Sequence, residues 1–140
     1  MKSINETQAD YINGVIDKTY FIKSMYEDHH ALLFDYAKYL IKTNIKKIEI
    51  QDGRVIMTSR DRGVRIACSS GDFRTAPIDI LNFFDYEKSE SEMMENLVSD
   101  GDIFFDIGAN IGWYSINIAA SRRATNVYSF EPIPKTYKSL

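Results

Sequence analysis

The residue types best suited to chemistry lie close together, in Gly101-Asp-Ile-Phe-Phe-Asp-Ile-Gly-Ala-Asn-Ile-Gly-Trp-Tyr-Ser-Ile116 and Val127-Tyr-Ser-Phe-Glu-Pro132. The run Ile103, Phe104, Phe105, Ile107 follows the turn dipeptide Asp100-Gly101, and a short apolar run of this kind predicts a strand buried on both faces of a parallel sheet. Gly108 and Gly112 have no Cβ, so the loop after the strand can take left-handed dihedrals and admit a ligand to its backbone. A helix from about Trp113 to Ala120 then points free N–H groups at the same place. A second strand, Val127 to Phe130, brings Glu131 beside the loop. The chemistry implied is a nucleotide-type cofactor site.

Spacing narrows the ligand. The dinucleotide fingerprint G-x-G-x-x-G needs glycines that are absent here, since position 110 is Asn and position 111 is Ile. An NAD-dependent oxidoreductase is disfavoured on that ground. A P-loop nucleotidase is disfavoured as well, because the loop has no lysine and no G-K-[ST]. What is present is Asp106-x-Gly108-x-Asn110-x-Gly112, with Glu131 nineteen residues beyond the last glycine. A carboxylate at that strand end offers two acceptor oxygens to the hydroxyls of a ribose.

Two runs, Phe105-Asp-Ile-Gly-Ala-Asn-Ile-Gly112 and Phe130-Glu-Pro132, with Tyr137 and Leu140 after them, resemble the first two motifs of S-adenosylmethionine-dependent methyltransferases of the FkbM type. The similarity is densest over residues 86 to 140 and weaker over 45 to 85. It implies a class I, Rossmann-like α/β sheet with S-adenosylmethionine as cofactor, and O-methylation of a hydroxyl on a sugar, polyketide or other small metabolite. It also implies that Gly108, Asn110 and Gly112 serve the amino-acid end of the cofactor and Glu131 the ribose. By the same resemblance Ile133 would cover one adenine face, and Asp106 would orient the loop or meet the amino group. The segment corresponding to Tyr86-Glu87 lies near the cofactor in the family. Acceptor-side residues of such enzymes come from later strands, so the general base has no candidate. The chain is accordingly expected to be the N-terminal part of a methyltransferase, inactive by itself and binding its cofactor weakly or not at all. The competing expectation is a non-catalytic interaction module that retains the loop as a relic.

Composition sets the outer bounds. A chain of 140 residues suits one domain of ordinary size, and its apolar and charged fractions are those of a globular protein. A net charge of -3 gives no electrostatic footprint for nucleic acid or an anionic membrane. No apolar run approaches the roughly 20 residues that a bilayer crossing needs. The first residues lack the apolar core of a signal peptide, so the cytoplasm is expected. The single cysteine, Cys68, excludes an intramolecular disulfide.

The elements that must position the loop follow from periodicity, in three segments: 1–44, 45–85 and 86–140. Residues 4 to 43 read as two helices, with stripes Ile12, Val15, Ile16 and Leu33, Tyr36, Ala37, Leu40, the first weakened by Gly14. Those stripes can pack on the neighbouring segment, on each other, or on a second copy as a homo-oligomer. His29-His30 has no Cys or further His to complete a metal site and reads as solvated helix surface. From Ile45 to Cys68 the period alternates, with Asp52-Gly53 and Asp61-Arg62-Gly63 as turns, predicting an antiparallel meander with Cys68 as a buried, inert thiol. Ser69-Ser-Gly-Asp72 ends it, and Ile78, Ile80, Leu81, Phe83 and Phe84 form a short helix or extended connector whose aromatics are core. Ser89-x-x-Glu92 predicts a capping box, before a helix whose apolar face is Met93, Met94, Leu97 and Val98.

Overall fold

Ser3 opens the first helix, α1 (Ile4–Ile12), by a reciprocal cap. Its hydroxyl accepts from the Glu6 backbone N–H at 3.2 Å, while the Glu6 carboxylate accepts from the Ser3 N–H at 2.8 Å. The chain is described here from a computed structural model that covers residues 1–68, 70–71, 76–121, 126–138 and 140. Ser69 and Asp72, expected to close the meander, lie outside the described residues. Two compact units result, Met1–Lys42 and Thr43–Leu140.

The first unit is helical. Gly14 is not inside α1 but just beyond it, at φ +70°, where the Gly14 N–H reaches the Tyr11 carbonyl and the Val15 N–H the Asp10 carbonyl. Those two bonds make a Schellman cap, which needs a left-handed residue and so suits glycine. The stripe Ile12, Val15, Ile16 therefore spans a helix end, and Ile12 and Val15 are exposed. Asp17 caps α2 (Lys18–Met25) through a 2.8 Å bond from the Tyr20 N–H, and stacking of Tyr11 on Phe21 ties α1 to α2. The helix continues through a π turn (Tyr26–His30), where the Ala31 N–H bonds the Tyr26 carbonyl, into α3 (Ala31–Tyr39) and a final 3₁₀ turn (Leu40–Lys42). Leu33 and Tyr36 of the second expected stripe are exposed.

The second unit is mixed α/β, with one antiparallel and one parallel sheet. The meander forms as expected, with β1 (Ile45–Gln51), β2 (Arg54–Ser59) and β3 (Arg65–Cys68) in that order. Asp52 and Gly53 have φ of 50° and 71°, the left-handed pair of a type I′ hairpin whose twist matches the flanking strands. Helix α4 (Ala76–Phe83) packs across β1 and β3. Ile45, Met57, Ile66, Ile80 and Leu81 bury the core between them. Phe83 and Phe84 are exposed rather than core, because α4 presents Ile80 and Leu81 to the sheet and ends at Phe83, with Phe84 turning left-handed at φ 71°.

Helix α5 (Lys88–Leu97) begins two residues earlier than a Ser89 cap requires. Glu87 precedes it in the left-handed region at φ 41°, no side chain caps it, and the Ser89 hydroxyl bonds Glu90 instead. The expected capping box is therefore absent. The inward face of α5 is also rotated from expectation. Ser91 is buried and Met94, Glu95 and Val98 are half-buried, whereas Leu97 is 72% exposed.

The parallel pair is β4 (Ile103–Ile107) and β5 (Asn126–Phe130), joined through α6 (Trp113–Ser121), which packs on both, with α7 (Pro134–Tyr137) following. Burial on both faces, expected for β4, is not found. Phe104 and Asp106 turn toward α6, but Ile103, Phe105 and Ile107 stay exposed, Ile107 at 84%. Helix α6 covers one face of this sheet, and the opposite face is an aromatic ladder in which Phe105 stacks on Tyr128 and Phe130.

Arg62, in the second turn of the meander, fastens the antiparallel sheet to α5 and α6. Its guanidinium donates to Asn117 Oδ1 at 3.0 Å, pairs with Glu95 and lies 4.0 Å from Asp61. Asn117 is buried and uses its amide to bond the Trp113 carbonyl at 2.7 Å. Removing one partner from such a network strands the others. Arg62→Ala is expected to cost about 2 kcal/mol, read as a lower urea midpoint with unchanged slope. An unaltered midpoint would refute the linking role.

Candidate functional site

The loop between β4 and α6 is built on left-handed residues at every second position. Gly108, Asn110 and Gly112 have φ of 85°, 52° and 78°. Asparagine is the residue other than glycine that tolerates this region most readily. The alternation folds the loop back on β5, where the N–H groups of Gly108 and Ala109 both donate to the Phe130 carbonyl, at 2.8 and 2.9 Å. At Gly108 an added Cβ would meet nothing within 4 Å, so that face of the loop is open. At Gly112 it would lie 2.8 Å from Leu140 Cδ1 and near Ile116, so that glycine faces packed side chains.

Glu131 stands at the end of β5, as its sequence position predicted, and closes the loop. One carboxylate oxygen accepts from the Asn110 N–H at 2.9 Å and the other from the Ile133 N–H at 2.8 Å. Each oxygen keeps a further lone pair. Ile133 is exposed beside it. Glu131, Asn110 and Ile133 are thus joined directly, with Gly108 bonded to the same strand end.

Asp106 has a different use. It is 8% exposed, and its carboxylate accepts from both the backbone N–H and the hydroxyl of Ser115, at 3.1 and 2.6 Å. The Ser115 hydroxyl also lies 2.6 Å from that of Ser129. Ser115 is the third residue of α6, so Asp106 satisfies one of the N–H groups that a helix start leaves without a partner. Neither serine was singled out from sequence. No sequence signal marked them, because it is the pairing register of the folded sheet that sets Asp106 beside Ser129.

Comparison with models of protein families, with curated proteins and with solved structures gave no match.

A second group of functional character lies before α5. The Tyr114 hydroxyl bonds Glu87, and the Tyr86 ring meets the Trp113 ring edge-on at 5.5 Å. Burial, followed by the neighbouring Glu87 charge, pushes the Tyr86 hydroxyl up to about 12. Burial and the bond to Glu87 push Tyr114 up too. Cys68 is half-buried, and burial raises its thiol, which disfavours the nucleophilic thiolate. Among the described residues no cluster of three metal-ligating side chains occurs, and no helix is long and apolar enough to cross a membrane.

Two measurements follow. Asp106→Ala leaves the Ser115 N–H without its acceptor and is expected to cost about 2 kcal/mol in chemical denaturation, with Asp106→Asn intermediate because one carbonyl oxygen remains. Equal midpoints for all three proteins would remove Asp106 from this role. For Tyr86 the folded state favours the protonated phenol. Its contribution to stability is therefore complete below pH 10 and lost as pH rises through about 12, a decline that Tyr86→Phe should flatten.

Proposed function

We propose that this chain carries the cofactor loop of an S-adenosylmethionine-dependent methyltransferase of the FkbM type, with a sugar or small-metabolite hydroxyl as methyl acceptor. In this reading β4, α6 and β5 are the first crossover of a Rossmann-like sheet. The observation that carries it is the bond from the Asn110 N–H to Glu131, which draws a loop of left-handed residues and a strand-end acid into one corner at the same ends of two parallel strands. Ligands of open α/β sheets sit at the carboxyl ends of the strands.

The residues present suit the cofactor in part. Glu131 retains lone pairs for two ribose hydroxyls, Gly108 admits close approach to the backbone, and Ile133 offers an exposed apolar side chain for the adenine. Asp106 suits it less, because its carboxylate is committed to Ser115, and Gly112 serves the packing of Ile116 and Leu140. When bound, S-adenosylmethionine supplies the electrophilic methyl group. The chain's own contribution is alignment: a rigid loop and a carboxylate hold the nucleoside in one pose.

The alternative, a non-catalytic module with a relic loop, draws on one observation. Both Glu131 oxygens already accept backbone N–H groups, so the acid has a structural task without any ligand. The two readings diverge on Glu131→Ala. Both expect a stability loss of about 2 kcal/mol from the vacated N–H groups. Only the methyltransferase reading expects millimolar S-adenosylmethionine to shift the amide resonances of Gly108, Asn110 and Ile133 in the unaltered chain, and those shifts to vanish in the variant. Resonances unmoved at every cofactor concentration would leave the relic reading standing.

A further inference from the structure

The helical unit, Met1–Lys42, has no apolar core. Among its described residues the buried one is Thr7, while Leu32, Leu33, Phe34 and Tyr36, which point to different sides of α3, are all exposed. A helix that is apolar on every side is stable only when something covers it. We infer that this unit is a dimerisation module, in which the continuous helix from Lys18 to Tyr39 packs antiparallel against the same helix of a second copy of the chain. The inference stands whatever the loop between β4 and α6 binds.

The first ground is a seam that the π turn creates. Tyr26 and Phe34 are eight residues apart, which in an unbroken α-helix would turn them about 80° from one another. The π turn holds one residue more than an ordinary turn and takes up that rotation, so the two rings stand 6.5 Å apart. Counted through the turn, Ile22, Tyr26, Phe34, Ala37 and Ile41 follow the alternating three- and four-residue steps of a coiled-coil seam, with His29-His30 between Tyr26 and Phe34. All five are exposed, Phe34 at 60% and Ile41 at 77%. Their open surface is roughly 500 Å² per copy, so pairing two copies removes about 1,000 Å² from water, the size at which an interface becomes specific and stable.

The second ground is that the seam fits itself. About a two-fold axis level with Ala31 and Leu32, Ile22 lies across the second copy's Ile41 and Tyr26 across its Ala37, a large side chain against a small one. Phe34 lies across the histidine pair. One register thus serves every position, as a contact between identical surfaces requires. Charge favours this occupant over a lipid surface. Between Asp17 and Lys42 there are four lysines and four carboxylates, so two copies meet without net repulsion, and the Lys-rich polar face by which amphipathic helices hold anionic lipid is missing.

The whole 140-residue chain is followed by sedimentation velocity from micromolar to millimolar concentration. Expected is a dimer whose share rises with concentration. Phe34→Glu and Tyr26→Asp should each weaken association roughly 100-fold, because each substitution enters the interface twice, whereas Tyr20→Ser, on the other side of α2, should leave it unchanged. A gain of signal tests the register independently of any loss of folding. Chains carrying Ile22→Cys and Ile41→Cys separately, each with Cys68→Ala, should form a disulfide-linked dimer when mixed and neither should do so alone. The inference is overturned if the chain stays monomeric at millimolar concentration, if Tyr20→Ser disrupts the dimer as much as Phe34→Glu, if the mixed cysteine chains fail to crosslink, or if phosphatidylserine vesicles take up the chain as a monomer.

Discussion

Everything around the loop depends on one buried carboxylate. Asp106 sits near the end of β4, and its charge is tolerated in the interior because a backbone N–H and a hydroxyl of α6 both donate to it. The Ser115 hydroxyl passes the connection on to Ser129 of β5. Three elements are thereby fixed at a single point: the end of the first strand, the start of the helix, and the partner strand. With both ends so held, the residues between them have little freedom in where they run.

The loop spends that constraint on repeated left-handed turns. Placing φ above zero at alternate positions directs successive N–H groups to one side, and two of them fall on the Phe130 carbonyl while a third meets Glu131. Glu131 then has a double character. It is an acceptor held in place by backbone donors, and it is a carboxylate with lone pairs remaining for a ligand. A binding group whose position is set before the ligand arrives loses little entropy on binding. The same economy would arise in a loop that needs its acid only for shape, so the two readings of function share a geometry and differ in what the remaining lone pairs meet.

Local signals were legible and partnership was not. Asp52-Gly53 fixed a hairpin because only a left-handed pair suits that turn, and the spacing from Gly108 to Glu131 located the corner because a parallel pair returns the chain to the same end. The Asp106–Ser115–Ser129 contact was missed because it depends on register across two strands and a helix. The capping box at Ser89 failed for a related reason. Glu87, bonded by Tyr114 from α6, turns left-handed and starts the helix early, so a tertiary contact overrides a local motif. The expectation of a strand buried on both faces came from a short apolar run bounded by a turn, and such a run does not say how many layers a sheet acquires. On its uncovered side Phe105 stacks on both Tyr128 and Phe130.

The π turn at Tyr26–His30 has a consequence for lineage. An i→i+5 bond holds one residue more than an ordinary helical turn, so every side chain after it is rotated by about 100° relative to those before. Such a turn is how a helix absorbs a single inserted codon without breaking. In a population of related chains, length variation in this helix would therefore show up as gain or loss of one residue between Met25 and Ala31, with the side that Leu33 and Tyr36 present switching each time.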